Sequence, residues 1–168
     1  ILASDFDLVF FSRSAKKDWA TSSFAELSAS WVDCFDHTAD QLEARIRSER
    51  LDLLIDLGGL MDPVAFKALS MRPAPIQIKW VGGQSLSTGA DFFDGFITDL
   101  WQSPPELEHL YSEPLIPLPG GYVTYTPPPY LPELREASQS PIDCAVAGNP
   151  AKFSKTFYTF LVQLLRTL

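Results

Sequence analysis

The sequence predicts an α/β fold built on a parallel sheet, and two observations carry that expectation. Short apolar runs, of which Leu51-Asp-Leu-Leu-Ile-Asp-Leu57 is the fullest, alternate along the chain with stretches of helical periodicity. The prolines are also segregated: of 14 in 168 residues, none falls in the first 62 and nine fall between Pro104 and Pro132. A proline-free first part leaves backbone donors for regular elements, whereas dense proline favours extended, unpaired chain.

From the N-terminus, residues 7–11 (DLVFF) read as a short buried strand, residues 16–30 as an amphipathic helix carrying Trp19, Phe24, Leu27 and then Trp31, and residues 31–34 as a second strand. Thr38 and Gln41 have capping-box spacing, so a helix starts there and runs to about Arg50. Residues 51–57 read as a strand covered on both faces. Gly58-Gly59 ends it, and Asp62-Pro63 starts a helix that must stop before Arg72-Pro73-Ala74-Pro75. Residues 76–81 alternate as a strand, residues 82–89 form a small polar loop bracketed by glycines, and residues 93–98 form another strand. Ser103 and Glu106 suggest a second capping box, with a helix to about Tyr111. Residues 113–141 read as an extended connector, residues 142–147 as a new strand, and Ser154 as the cap of a helix with Phe157, Phe160, Leu161, Leu164 and Leu165 on one stripe.

Composition excludes several classes. The chain is 46% hydrophobic and 20% charged with a net charge of −8, so it carries no basic stripe for neutralising nucleic-acid phosphates. No apolar run approaches the ~20 residues that span a bilayer. Cys34 and Cys144 lie 110 residues apart, and with only His37 and His109 no zinc-ligand spacing exists. Free thiols in a reducing, cytoplasmic compartment are expected. The first residues lack a signal-peptide pattern and an initiator Met, as if the chain had been cut from something longer.

Polar groups after strands are the site candidates, because ligands of open α/β sheets gather at the carboxyl ends of the strands. Asp56 and Asp99 fit, although each is expected first to satisfy the free amides beside it. The 82–89 loop offers backbone amides to an anion or sugar but matches no phosphate-loop pattern. Gly148-Asn149-Pro150-Ala151-Lys152-Phe153-Ser154 precedes a helix start, where free amides and the Lys152 ammonium together suit a diphosphate. His37 and His109 read as structural or solvated, and no nucleophile–base set assembles.

Several of these segments together resemble one family. Leu51-Asp-Leu-Leu-Ile-Asp-Leu-Gly-Gly59, Met71-Arg-Pro-Ala-Pro-Ile-Gln-Ile-Lys-Trp-Val-Gly82, Phe93-Asp-Gly-Phe-Ile-Thr-Asp99, Leu110-Tyr-Ser-Glu-Pro-Leu115, Leu118-Pro-Gly-Gly-Tyr122 and Asn149-Pro-Ala-Lys-Phe-Ser154 occur in the order seen in the catalytic region of O-linked N-acetylglucosamine transferases, above all the bacterial members with TPR repeats. The resemblance implies a GT-B fold of two Rossmann-like lobes. On that reading, residues 1–112 are the C-terminal part of the first lobe (an incomplete three-layer parallel sheet), 113–141 the linker, and 142–168 the first strand–helix unit of the nucleotide-sugar lobe. It further implies inverting transfer of N-acetylglucosamine from UDP to Ser or Thr of a protein acceptor, with no metal and no cofactor besides the UDP-sugar substrate, in a parent chain carrying TPR repeats. Residue by residue, Lys152 falls on the lysine that meets the donor diphosphate, Asn149 on its neighbour in the donor loop, and Val81 and Gly82 on positions near the sugar and acceptor.

The chain departs from the family pattern at Leu60-Met61, where many bacterial members have His-Thr, at Asn149, and in the 82–89 loop, which is one residue longer. Those departures sustain a rival expectation, a non-catalytic interaction or regulatory module on the same scaffold. With half a donor site, the isolated chain is expected to be inactive.

Overall fold

A computed structural model of the chain describes residues 2–80, 87–133 and 145–167. It divides into two compact units, Ile1–Thr126 and Pro127–Leu168. The first carries helices α1 (Leu2–Asp5), α2 (Trp19–Leu27), α3 (Ala39–Ser48) and α4 (Pro63–Ser70) and strands β1 (Val9–Ser12), β2 (Ser30–Asp33), β3 (Leu53–Asp56), β4 (Ile76–Trp80), β5 (Gly95–Thr98) and β6 (Leu115–Pro117). Among the described residues the strands form two sheets, β1-β2 and β3-β4-β5-β6, and every pairing is parallel.

Local chemistry explains most of the boundaries. Thr38 accepts from Gln41 N at 3.3 Å while Gln41 Oε1 accepts from Thr38 N at 2.9 Å, the capping box expected at the start of α3. The Asp62 carboxylate accepts from Val64 N and Ala65 N, with Pro63 at the first helical position of α4. Helix α2 is shorter than the 16–30 span expected of it, because Asp18 accepts from Ala20 N and Thr21 N and so starts the helix at Trp19.

Packing then assigns the faces. Phe10 and Phe11 are neighbours in β1 and so point to opposite sides of the sheet. Phe10 meets Phe24 of α2 at 5.5 Å and Trp31 of β2 at 6.1 Å between ring centroids. Phe11 packs instead on the main core, where Leu42 and Ile46 of α3, Ala68 and Leu69 of α4, Leu54, Phe92 and Phe93 are buried. Each such aliphatic or aromatic side chain removed from water contributes about 1.5–3 kcal/mol. Helix α2 thus covers the Phe10 face of β1, and α3 and α4 lie on the Phe11 face.

Several expectations need correction. Strand β3 is covered on one face only: Leu54 is buried, but Leu53 and Ile55 are 46% and 43% exposed, since α3 and α4 both pack on the Leu54 side. Ser103 does not cap a helix. Its hydroxyl bonds Thr98 Oγ at 2.7 Å and Tyr111 OH at 2.8 Å, and the next element is a 3-10 turn, Pro105–Leu110, preceded by Pro104 with no side-chain cap. The segment expected to be an unpaired connector contributes β6, because the Pro114, Thr98 and Leu118 backbone groups complete a parallel ladder with β5.

The second unit holds a 3-10 turn (Pro150–Lys152) and α5 (Lys155–Thr167). Phe157 N donates to Ser154 Oγ at 3.2 Å, as the cap expectation required, and Phe153 stacks edge-on against Phe157 at 5.0 Å. Of the strand expected over 142–147, residues 142–144 lie outside the described residues and 145–147 are not in a strand. A strand needs a laddered neighbour, and the described part of this unit contains none. No described helix is long and apolar enough to cross a membrane.

Candidate functional site

The carboxyl ends of β3, β4 and β5 carry Asp56, Trp80 and Asp99, whereas Glu113, just before the parallel strand β6, belongs to the opposite, amino edge. Asp56, the last residue of β3, accepts from Gly58 N at 3.0 Å and Gly59 N at 2.8 Å. Asp99, just past β5, accepts from Gln102 N at 2.7 Å, Trp101 N at 2.9 Å and Tyr122 N at 3.1 Å, and these bonds, that from Gln102 foremost, hold its carboxyl below the ordinary value. Both aspartates thus organise turns. Glu113, buried just before β6, accepts from Thr88 N and Ser87 Oγ at 2.8 Å each, and from Thr88 Oγ and Ser112 Oγ, which anchors the described end of the 82–89 loop. Trp80 Nε1 donates to Tyr122 O at 2.8 Å on the carboxyl edge, beside Asp99.

Arg13 ties the segments after β2 and β3 together. It follows β1, and its guanidinium reaches Asp62 beyond β3 at 3.0 Å and the carbonyls of Cys34, Phe35 and His37 beyond β2 at 2.5, 3.0 and 3.3 Å. Beside it, Ser14, Ala15, Lys17, Asp33, Phe35, Asp36 and His37 line an open cleft of about 360 Å³. The sequence reading missed Arg13, and a basic residue directly after a short strand was the signal. It also missed Lys79, hidden inside an alternating strand.

The segment around Arg72-Pro-Ala-Pro-Ile-Gln77 is a brace. Arg72 holds a left-handed backbone conformation (φ 49°) after α4, which aims its guanidinium at Phe92 O (3.1 Å), Pro75 O (3.2 Å) and both Asp94 oxygens (3.0 Å each). Gln77 Nε2 donates to Leu69 O and Phe92 O, and Gln77 N donates to Asp94 Oδ2 at 2.8 Å. The motif positions β4.

Besides Asp99, the carboxyl groups of Asp94, Asp62 and Glu113 are held below their ordinary values. For Asp94 the Gln77 amide leads and Arg72 adds its charge. For Asp62 and Glu113 burial pushes upward but is outweighed, by Arg13 and the α4 amides in one case and by Thr88 and Ser87 in the other. Each gives up its proton more readily folded than unfolded. Their stabilisation is therefore complete above the ordinary values of 3.8 and 4.5 and is lost as pH falls through the lower folded values. Thermal melting is expected to be flat between pH 7 and 5 and to fall steeply below about pH 4. Asp94→Asn is expected to shallow that fall, and an unchanged acid limb would refute the assignment.

Of the residues singled out for donor contact, Val81 and Gly82 lie outside the described residues. Asn149 caps its 3-10 turn, accepting from Ala151 N at 3.0 Å, and Lys152 ends that turn with its side chain exposed, two residues before Ser154. His37 contributes its carbonyl to Arg13, and His109 sits on the Pro105–Leu110 turn.

Comparison with known proteins places this arrangement. The model of glycosyl transferase family 41 matches residues 4–137. The chain belongs to glycosyl transferase family 41. Similar proteins include the Probable UDP-N-acetylglucosamine–peptide N-acetylglucosaminyltransferase SPINDLY of Solanum lycopersicum, 28% identical over 75% of this chain and 14% of that protein. The protein of that name from Eustoma exaltatum subsp. russellianum is 32% identical over 74% of this chain and 14% of its own length. Among solved structures, a mutant O-GlcNAc transferase from Thermobaculum terrenum superposes with a TM-score of 0.70 at 30% identity, over 77% of this chain and 25% of that one. This family 41 chain thus shares its parallel α/β architecture with a quarter of an O-GlcNAc transferase. It spans about one seventh of the length of the SPINDLY relatives.

Proposed function

We propose that this chain is the central part of a cytoplasmic, UDP-sugar-dependent protein glycosyltransferase that moves N-acetylglucosamine onto Ser or Thr by inverting displacement without a metal. What supports the reading most is the polar carboxyl edge of a parallel sheet in a family 41 chain, since that edge is where an open α/β sheet receives its ligand. Residues 1–112, extended by β6, form the end of the first lobe; the proline-rich segment leads out of it; and 142–168 open the nucleotide-sugar lobe.

In the proposed reaction the acceptor hydroxyl oxygen bonds the anomeric carbon, the bond from that carbon to the diphosphate oxygen breaks, and the hydroxyl proton is released. Charge grows on the departing UDP. Lys152, with the amides at the Ser154-capped start of α5, is the group of this chain suited to meet it. Asn149 would hold the turn that presents Lys152, and Val81 and Gly82 would border the sugar and acceptor. The TPR repeats of the parent would carry the protein acceptor.

A longer chain containing these residues is expected to hydrolyse UDP-N-acetylglucosamine slowly and to label a Ser/Thr peptide, while the 168 residues alone release no UDP above the blank. Turnover by the 168-residue chain would refute the half-site reading. A longer chain that folds and binds peptide yet turns over no UDP-sugar would favour the non-catalytic module.

A further inference from the structure

Arg13 is the first residue after β1, and its guanidinium gathers acceptors from two other segments. Nη1 donates to the carbonyls of Cys34, Phe35 and His37, while Nε and Nη2 donate to the two Asp62 oxygens at 3.0 and 3.4 Å. The three carbonyls lie between the end of β2 and Thr38, the cap of α3, and Asp62 is the cap of α4. Helix starts carry partial positive charge and disfavour a cation, so this placement rests on the hydrogen bonds. Only a guanidinium presents five donors in a fixed fork that can meet carbonyls on one side and a carboxylate on the other.

Among the described residues, β1-β2 and β3-β4-β5-β6 are separate ladders. Phe11 and Cys34 pack the first onto the core that holds Leu54, but apolar contact is non-directional and does not fix a loop. Lys17 and Asp33 pair at 2.6 Å beside the cleft, each about half exposed, and such a surface pair contributes little. We propose that Arg13 is a positioning residue, a clamp that fixes the 34–37 segment, and with it the Phe35, Asp36 and His37 wall of the adjacent cleft, to the start of α4. The clamp acts through Asp62, which serves two partners: Oδ1 caps Val64 N and Ala65 N, and both oxygens accept from Arg13. Removing the Asp62 charge therefore loosens a cleft wall to which Asp62 is linked through Arg13. This holds whether or not the chain takes part in sugar transfer.

The reporter is the His37 amide, which donates to Cys34 O at 3.2 Å, a carbonyl that Arg13 also holds. In amide exchange on the chain, Arg13→Met is expected to lower His37 protection about tenfold or more, the scale of a lost hydrogen bond to a charged group, while Val64, Ala65 and Phe96 keep theirs. Asp62→Asn is expected to lower His37 protection too, with the α4 amides still capped, because Asn caps a helix as well as Asp. Added to Arg13→Met, it is expected to lower it no further. In Arg13→Ala, ethylguanidinium is expected to restore His37 protection, and ethylammonium at the same concentration is not. Unchanged His37 protection in Asp62→Asn, additive losses in the double variant, a loss shared equally by Phe96, or rescue that does not favour the guanidinium would overturn the clamp. If Arg13→Met does not fold, the His37 amide in Asp62→Asn decides alone.

Discussion

Lys152→Ala in the full-length parent is expected to lower sugar transfer from UDP-N-acetylglucosamine by ~10²–10³-fold, the scale lost when one preorganised charge donor is removed from a transition state. The basis is local. Lys152 ends a turn held by the Asn149 side chain and stands beside the Ser154 cap, so its ammonium and the first amides of α5 serve the same region. Its side chain is exposed, and truncating it removes no buried contact. Melting temperature and circular dichroism are therefore expected to match wild type, since surface substitutions away from special features stay within about 0.5 kcal/mol. Steady-state kcat for UDP release and for peptide labelling decides the matter. Turnover within tenfold of wild type would refute the diphosphate role, and Lys152→Arg, which keeps the charge but not the shape, is expected to fall between the two.

Phe96→Ala carries the largest expected loss of stability, about 3–5 kcal/mol. Phe96 lies in β5 with 0% exposure, paired through the backbone with Lys79 on one side and Leu115 on the other, and its ring meets Tyr111 edge-on at 5.6 Å. Neighbouring Gly95 shows how little slack the other face has: a Cβ there would come within 2.5 Å of Ile116 Cδ1, so the strands cannot close into the space left by the ring. With m about 1–3 kcal/mol/M, urea unfolding is expected to shift its midpoint by roughly 1–5 M. Trp101→Ala is the control. That indole is 92% exposed, and its loss is expected to move the midpoint by little. A Phe96→Ala cost below about 1 kcal/mol would contradict the central placement of β5.

How much of this was legible in the sequence depends on the range of the cause. Thr38 with Gln41, Asp62 with Pro63, and Ser154 before α5 act over three residues, and the structure shows each bonding as the pattern required. The same reasoning failed at Ser103, because Thr98 and Tyr111, brought close by the fold, compete for its hydroxyl. It failed for β6 as well: Leu115-Ile116-Pro117 looks like connector until β5 stands beside it to offer a ladder. For Asp56 and Asp99 the modest expectation, amides of the adjoining turn, is what the geometry contains.

The family-specific motif shows the difference most plainly. Arg72-Pro-Ala-Pro-Ile-Gln77 is conspicuous in sequence, yet its side chains are spent on Phe92, Leu69 and Asp94, up to 22 residues away. Arg13 and Glu113 take their meaning from charges and donors on distant elements, 49 residues apart for Arg13 with Asp62 and 25 for Glu113 with Thr88. The sequence by itself determined the parallel α/β class, the starts of α3, α4 and α5 and the family resemblance, because hydrophobic period and capping are near-neighbour effects. Only the tertiary structure decided that 115–117 pair with β5, which face of β3 stays open, and which distant carboxylate and carbonyls Arg13 meets. Those depend on which strands lie side by side, and no local pattern encodes that.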